Sequence, residues 1–409
     1  MANTCKRGQW HQYFASWTEH ILFLGAVLAI GPSQVLGLGF RIPNQDAEAT
    51  ARGNAFIATA DNPSAIYYNP AGITQLQGHN AQVGGHVITV RSHFEPAGGG
   101  KDENTKSEIQ MAPQLYYAYA PADCDFAFGL GVYAPYGLGL EWSDDVAFRD
   151  EGIEGRLLYS TISPVVAWRI TPTFSLAAGP TLDYAKVDFR QGFGGIPNSR
   201  FHFRGDGIAF GAKAGLLWQP HPKWSFGASY FSPTTIDFEG DSSASPVSSK
   251  KQDTSSELDF PQFIMGGISY RPTTNWNVEV GIDWTDWDTL NTVIFKGTAF
   301  GNVPLPLNWE SSVLVHFGAS RYLRKGYWIA AGYFFSQNST SERDFSPIVP
   351  DTDLHVASVG VGRKGQRWTW AFSTQFITGP FREISNGKTS DGSYQFFNKA
   401  INFSMNRHF

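Results

Sequence analysis

Most of the chain beyond residue 80 alternates apolar residues with small or polar ones at a period of two. This alternation predicts strands that each have one apolar face, and no long apolar helix fits it. In one clear segment, Trp276, Val278, Val280 and Ile282 alternate with Asn277, Glu279, Gly281 and Asp283. The same pattern starts at Phe126, Phe174, Trp224, Val313 and Trp368.

The residues opposite the apolar faces decide what kind of β-structure this is. They are mainly Gly, Ala, Ser, Thr and isolated acids, whereas a soluble β-sandwich exposes a face rich in Lys and Glu. Charged residues make up only 16% of the chain, against about a quarter in ordinary soluble domains, while aromatics reach 15%. The pattern favours a transmembrane antiparallel β-barrel, in which the apolar faces meet lipid and the small residues line a crowded lumen. A soluble β-sandwich is the alternative.

Connections between the predicted strands alternate between short and long, as in a barrel with tight periplasmic turns and longer outer loops. Pairing each turn with a loop predicts an all-β barrel of about fourteen strands. The stretch 241–256 is rich in Ser and charge and should be a mobile outer loop. The predicted turns are 121–125, 171–173, 219–223, 272–275, 323–326 and 364–366, and the predicted loops are 137–157, 192–200, 240–257, 289–308, 339–353 and 379–393.

The C-terminal segment also alternates, with Phe397, Ile401, Phe403, Met405 and Phe409 sharing one face. A last strand that ends in an aromatic residue is the signal that the outer-membrane insertion machinery reads. The sequence therefore predicts a multi-pass barrel in the outer membrane of a Gram-negative type of cell, with membrane lipids and that machinery as partners.

The first residues are typical of a cleaved signal peptide, which we assign to residues 1–37. Lys6 and Arg7 precede the apolar run ILFLGAVLAI at 21–30, which is shorter than the ~20 residues of a spanning helix. A membrane anchor or a buried helix is the alternative. Cys5 falls in this leader and leaves Cys124 alone, so no disulfide framework is expected. The ten His are scattered, which predicts no metal site, and the net charge of −5 offers no basic field for nucleic acid.

Residues 38–79 lack strand alternation and form a separate unit ahead of the barrel at 80–409. Asn62-Pro63 and Asn69-Pro70 each place a capping Asn before a Pro, and they predict short helical turns at 64–68 and 71–76, with Gly78 as the stop. Irregular backbone cannot face lipid, so this segment is expected to plug the lumen as a hatch.

The hatch sequence carries a family resemblance. Residues 51–56 (ARGNAF) and 60–72 (ADNPSAIYYNPAG), with the triplet Asn69-Pro70-Ala71, resemble the N-terminal hatch of the long-chain fatty acid transporter (FadL) family. The stretches 134–138 (APYGL) and 163–169 (SPVVAWR) resemble the family's third and fourth strands. Shorter matches continue in order along the barrel.

The resemblance implies a monomeric fourteen-stranded barrel whose outer loops form a hydrophobic groove and whose lumen holds a tighter pocket. Ligand would leave sideways into the bilayer when the hatch moves beside an inward kink in the third strand. Applied to this chain, it makes Asn69, Pro70 and Ala71 the gating candidates; a purely structural helix start is the alternative. The kink candidates are Pro135, Tyr136 and Gly137, and the candidates for binding an acidic headgroup are Lys186, Arg190 and Lys296. Ordinary solvated charge is the alternative for those three cations.

The function expected from these features is passive transport of hydrophobic small molecules, first among them long-chain fatty acids, with no cofactor. Uptake of aromatic or alkane hydrocarbons by the same fold is the nearest alternative. A general diffusion porin and an adhesin or phage receptor are alternatives of other kinds. Catalysis is not expected: Gly129-x-Gly131-x-x-Ala134 lies on a predicted strand, and no G-x-S-x-G motif occurs.

Overall fold

A closed antiparallel β-barrel of fourteen strands dominates the computed structural model, which describes residues 39–409. The predicted signal peptide lies outside the described residues. The ring closes where the first strand pairs with the last, from Asn80 opposite His408 to Thr89 opposite Lys399. The predicted strand number is thus confirmed. The barrel strands are β1 (Gly78–Val90), β4 (Glu108–Ala120), β5 (Phe126–Tyr133), β7 (Glu154–Thr171), β8 (Phe174–Gln191), β9 (Arg200–His221), β10 (Trp224–Phe231), β13 (Phe263–Tyr270), β14 (Trp276–Thr285), β17 (Ser312–Tyr322), β18 (Tyr327–Ser336), β19 (Leu354–Lys364), β20 (Trp368–Thr378) and β22 (Gly392–His408).

Short turns join the barrel strands at one end, and the long connections all lie at the other. The long connections contain β2 (Ser92–Pro96), β3 (Glu103–Asn104), β6 (Gly137–Glu141), β11 (Thr234–Ser245), β12 (Ser248–Phe260), β15 (Thr292–Thr298), β16 (Gly301–Pro306) and β21 (Arg382–Ile384). Two single-turn 3₁₀ helices also occur, at Trp287–Thr289 in a long connection and at Arg324–Gly326 in the short turn between β17 and β18. The stretch 241–256 is not the irregular loop that its composition predicts. It forms most of the β11–β12 hairpin, because β9 extends beyond the barrel and supplies a strand edge for β11.

The apolar faces of the strands point outward, as the period-two alternation predicts. On β14, Trp276, Val278, Val280 and Ile282 are 39–53% exposed on the outer surface, while the residues between them are buried in the interior. The last strand also turns Ile401, Phe403 and Met405 outward. Among the described residues, no helix is long and apolar enough to cross a membrane.

Residues 39–77 form three short helices enclosed by the strands. They are α1 (Ala47–Ala51), α2 (Ala65–Tyr68) and the 3₁₀ helix η1 (Pro70–Gln75). The two Asn-Pro pairs work as their sequence predicts: Asn62 Oδ1 accepts from the Ser64 amide at 2.9 Å, and Asn69 Oδ1 accepts from the Ala71 amide at 3.2 Å. Helix α1 is an addition to the predicted elements, and Asp46 caps it by accepting from the Glu48 amide.

Glycines on the inner face of the wall make room for this segment. Gly227 and Gly267 approach the backbone at Ile57 and Ala58, and Gly318 and Gly332 approach Arg52. A Cβ at any of these positions would lie within van der Waals contact of the segment, and at Gly227 it would overlap the Ile57 carbonyl oxygen. The small inner face of the strands is therefore matched in shape to the segment.

This match predicts that Gly227→Ala displaces residues 39–77 while the barrel still assembles. Overpacking of this kind typically costs about 1–3 kcal/mol. We expect heat-modifiable migration in gels to stay normal and proteoliposomes to become leaky to small sugars. Gly266→Ala is the matched control, because its added Cβ meets only the Ile282 carbonyl oxygen, at 4.0 Å. Equal leakage from both variants, or from neither, would contradict the prediction.

Candidate transport pathway

Two buried ion pairs anchor the N-terminal part of the enclosed segment to the wall. Arg41 lies 3.0 Å from Asp283 of β14, and Arg52 lies 3.4 Å from Glu279 of the same strand. All four side chains are at most 4% exposed. Ions removed from water need such partners, so these pairs fix the position of residues 41–52.

Glu279 is also the acceptor for a second turn of the segment. Its carboxylate accepts from the Ala58 amide at 2.8 Å and from the Thr59 hydroxyl at 2.5 Å. One inward carboxylate therefore contacts the Arg52 guanidinium and a loop of the segment together.

Asn69, Pro70 and Ala71 lie against β9. The Asn69 amide group donates to the Leu216 carbonyl of that strand at 2.8 Å and to the Ile57 carbonyl at 2.9 Å. Pro70 packs on Gly215, where a Cβ would overlap the proline ring. Hydrogen bonds and shape hold these residues to the wall, and the charged side chains of Lys213 and Arg169 donate to the carbonyls of Ile66 and Thr74 on either side of them.

Pro135, Tyr136 and Gly137 interrupt the third strand of the barrel, between β5 and β6. The backbone ladder between β4 and β5 covers only residues 115–119 of β4. Above it, the third strand pairs inward instead: the Ile42 amide donates to the Pro135 carbonyl at 2.7 Å, and the Gly137 amide donates to the Phe40 carbonyl at 2.8 Å. Over the described residues 108–114, β4 has no ladder partner on the side of the third strand. This leaves a gap in the backbone hydrogen bonding of the wall.

Ion pairs bridge that gap at its outer rim. Arg156 contacts Glu108 of β4 at 2.5 Å and Glu141 of β6 at 3.2 Å, and Lys106 contacts Glu141 at 2.6 Å. Burial opposes ionisation of Glu141, but hydrogen bonds from Lys106 and Arg190 outweigh it and hold the pKa of this carboxyl below its usual value. The rim is thus closed by charged side chains together with one backbone hydrogen bond, from the Lys106 amide to the Glu141 carbonyl at 2.8 Å.

The three predicted headgroup cations lie on the outer side of this region and are not close together. Arg190 contacts Glu154, and its guanidinium lies 2.6 Å from Glu141. Lys186 is exposed and shares the outward parity of Tyr184, and Lys296 is exposed on β15. Beneath Lys296, the inward-facing Phe295 stacks on Phe189, with ring centroids 5.3 Å apart. The role of Lys186, Arg190 and Lys296 in ligand binding stays a prediction.

An aromatic pocket lies inside the kinked third strand, and its polar residues were not predicted from the sequence. Asp183 lies in it and accepts from the hydroxyls of Thr161 and Thr181 at 2.6 and 2.9 Å. Lys213, on the inner face of β9, lies beside it. A single Lys among Gly and Ala on the small face of a strand was the available signal. The residues lining the pocket are Pro135, Tyr136, Tyr159, Thr161, Thr181, Asp183, Ala212, Phe231, Ser232, Thr234 and Phe263.

A second cavity, of about 200 Å³, lies at the short-turn end of the barrel. It is lined by Gln75 and Leu76 of the enclosed segment, by the β4–β5 turn and by Arg169. The free thiol of Cys124 lies in that turn. Among the outer loops, His93, Glu95 and Asp102 come within 4.8 Å of one another, but all are at least partly exposed.

A closed barrel with an apolar outer belt and an interior occupied by residues 39–77 is the architecture of an outer-membrane protein. The chain belongs to the family of outer membrane protein transport proteins (OMPP1/FadL/TodX), whose profile matches residues 28–377. It is 21% identical to the long-chain fatty acid transport protein of Escherichia coli O6:H1 over 386 residues, which cover 83% of this chain and 86% of that protein.

Solved structures agree on the fold. A Pseudomonas aeruginosa FadL homologue superimposes with a TM-score of 0.78 at 18% identity, covering 90% of this chain and 99% of that one. The Pseudomonas putida toluene transporter TodX gives a TM-score of 0.74 at 17% identity, covering 89% and 98%. The predicted family, barrel and outer-membrane location are confirmed. Transport of hydrophobic compounds is the function that the family supports, and its members are transporters and channels rather than enzymes.

The anchoring by Glu279 generates a prediction. Glu279→Ala should leave Arg52 buried without a counter-ion, at a cost of about 3–5 kcal/mol. We expect the amides of residues 52–59 to exchange hydrogen faster in detergent, while those of the barrel strands stay protected. Glu239→Ala is the control, since Glu239 is exposed on β11. Unchanged exchange at residues 52–59 would show that the ion pair does not anchor the segment.

Proposed function

We propose that this protein carries long-chain fatty acids inward across the outer membrane by passive diffusion, with residues 38–79 acting as the hatch and with release sideways into the bilayer. The observation that carries the proposal is the third strand, which leaves β4 and pairs with Phe40 and Ile42 of the hatch. A gap between β4 and β6 is a route from the interior to lipid that a general diffusion porin does not need.

The chemistry of the route suits an amphiphile with an apolar chain. The rings of Tyr136, Tyr159, Phe231 and Phe263 line a pocket of about 20 Å³. An alkyl chain would enter it only as the residues around it move apart, and contact with the rings would then remove the apolar surface of the chain from water. Moving from this pocket to the bilayer core costs such a chain little, so no energy source is required. Consumption of the ligand inside the cell keeps the gradient.

The nearest alternative is uptake of aromatic or alkane hydrocarbons, since one structural neighbour is a toluene transporter. Fatty acids carry an acid group and hydrocarbons do not. Variants of the predicted headgroup cations should therefore distinguish the two ligand classes. We propose that Lys186, Arg190 and Lys296 make the first contact with a fatty carboxylate at the cell surface. A role as adhesin or phage receptor would depend on the outer loops alone.

Uptake and binding measurements test the function and the ligand class together. Cells that lack their own fatty acid transporter should take up labelled oleate when they express this chain, and native mass spectrometry should detect a lipid that co-purifies. The triple variant Lys186→Ala, Arg190→Ala, Lys296→Ala should bind oleate several-fold more weakly, because charge-assisted contacts are lost. No uptake of oleate, together with uptake of toluene or an alkane, would favour the hydrocarbon alternative.

The gating role of Asn69-Pro70-Ala71 generates a separate prediction. Pro70→Ala frees a backbone dihedral angle at the start of η1 and loosens the packing on Gly215. We expect a several-fold loss of oleate uptake with normal barrel assembly. Pro272→Ala, in the exposed β13–β14 turn, is the matched control. Uptake equal to wild type in both variants would leave Pro70 as a helix start without a gating role.

A further inference from the structure

A second interruption of the wall lies where the barrel strand β9 changes its neighbour. The lower part of β9 pairs with β10 as far as Lys213, and its upper part pairs with β11 from Asp206 onward. Within the described chain, residues 207–212 of β9 have no ladder partner in β10 or β11, although they pair with β8 on their other side. We call the stretch of wall between residues 207–212 and residues 232–238 the seam.

The chain changes sides at the seam, at the junction of β10 with β11. On β10 the even-numbered residues face outward, as Tyr230 does, whereas the even-numbered residues Ile236 and Phe238 of β11 are buried in the interior. The register with β9 slips by one residue between the two ladders, and a slip of one residue reverses the faces of a strand. Pro233 lies at the junction and has no amide hydrogen to donate. The ladder therefore stops for a structural reason.

The seam lies in the lipid-facing part of β9. The outward residues of this strand are apolar from Trp218 to Ile208 and charged from Asp206 onward, so the outer boundary of the membrane falls close to Ile208. Phe210, inside that boundary, is 75% exposed on the outer surface. An interruption at this depth faces the acyl chains of the outer leaflet, where no water can replace a missing backbone partner.

A serine side chain closes the lower end of the seam. The Ser232 amide donates to the Ala212 carbonyl at 2.9 Å, as it would in a ladder. In return, the Ala212 amide donates to the Ser232 hydroxyl at 2.9 Å instead of to a backbone carbonyl. A hydroxyl acceptor can rotate to another staggered position, so this contact opens more easily than a regular ladder does.

The aromatic pocket lies directly behind the seam. Ala212 and Ser232 belong to the outward-facing sets of β9 and β10, and both line this pocket. The interior residues Tyr159, Thr181 and Asp183 line it as well. A cavity that touches residues of both faces crosses the wall at that point. At the seam, side chains rather than a backbone ladder separate the bilayer from the barrel interior.

We propose that the seam is a lateral entrance, through which an alkyl chain dissolved in the outer leaflet enters the aromatic pocket without passing the outer loops. The chain would exchange contact with Ile208 and Phe210 on the outside for contact with the rings of Tyr159 and Phe231 inside, and it would stay out of water throughout. This inference rests on the proposed function for the ligand and adds a point of entry to it. The entrance is separate from the gap beside β4, since β7, β8 and β9 lie between the two.

A pair of cysteines can lock the seam. Ala212→Cys with Ser232→Cys places two thiols between residues whose backbones are already hydrogen-bonded, and Cys124→Ser removes the native thiol from every variant. Leu216→Cys with Ala228→Cys is the matched control, because these outward residues are paired in the regular part of the β9–β10 ladder. Each variant is compared oxidised and after reduction with dithiothreitol, and heat-modifiable gel migration verifies its assembly.

The readout is photolabelling in proteoliposomes by a phosphatidylcholine that carries a diazirine in its acyl chain. In wild type, mass spectrometry should locate the label at the interior residues Tyr159 and Thr181 as well as on the lipid-facing belt. Oxidation of the 212/232 pair should lower the interior labelling several-fold, and reduction should restore it. The control pair should label as wild type in both states, and labelling of the belt should be the same in all variants.

Oleate uptake supplies a second readout on the same variants, and it should be several-fold slower in the oxidised 212/232 pair than in its reduced form. Interior labelling that is absent from wild type or that survives oxidation, or uptake that oxidation does not change, would overturn the entrance. Phosphatidylcholine is not the proposed substrate. Interior labelling in a wild type that takes up no oleate would therefore refute the fatty acid function and leave the entrance standing.

Discussion

The structure depends on one constraint: backbone amides and carbonyls that face lipid must be hydrogen-bonded within the protein. Most neighbouring strand pairs meet it with antiparallel backbone ladders, including the pair of β1 and β22 that closes the ring. The third strand is an exception. Its upper part leaves β4, and two residues of the N-terminal segment take the place of the missing neighbour. The enclosed segment 39–77 is therefore part of the hydrogen bonding of the wall as well as of the packing of the interior.

The interior is adapted to the same segment by size and by charge. Inward glycines on β10, β13, β17 and β18 let the hatch backbone come closer than any side chain would permit. Asp283 and Glu279 of β14 then lie against Arg41 and Arg52, the two buried guanidinium groups of the described residues. The enclosed segment thus explains why the inner face of the strands is small and why it carries isolated acids.

Features that depend on neighbours in sequence could be predicted, and those that depend on distant pairs could not. The outward faces follow from alternation, and the helix starts follow from Asn62 and Asn69. The partners of Arg41 and Arg52 lie more than 220 residues away, and nothing local marks them. The period-two alternation alone places Lys186 and Arg190 on the outer face of β8 together with Tyr184, although the family resemblance suggests that both bind ligand. The same alternation places Lys213 on the inner face of β9, but only the structure shows that no carboxylate of the described residues forms an ion pair with it.

The contacts of the enclosed segment 39–77 differ in strength along its length. Residues 40–52 hold the third strand inward, and they are anchored by buried ion pairs whose disruption costs several kcal/mol. Residues 64–77 are held by neutral hydrogen bonds, each worth about 0.5–1.5 kcal/mol, and by the charged side chains of Lys213 and Arg169, which donate to the carbonyls of Ile66 and Thr74. The bend of the third strand, and with it the gap in the ladder beside β4, therefore depends on the more strongly anchored part of the segment.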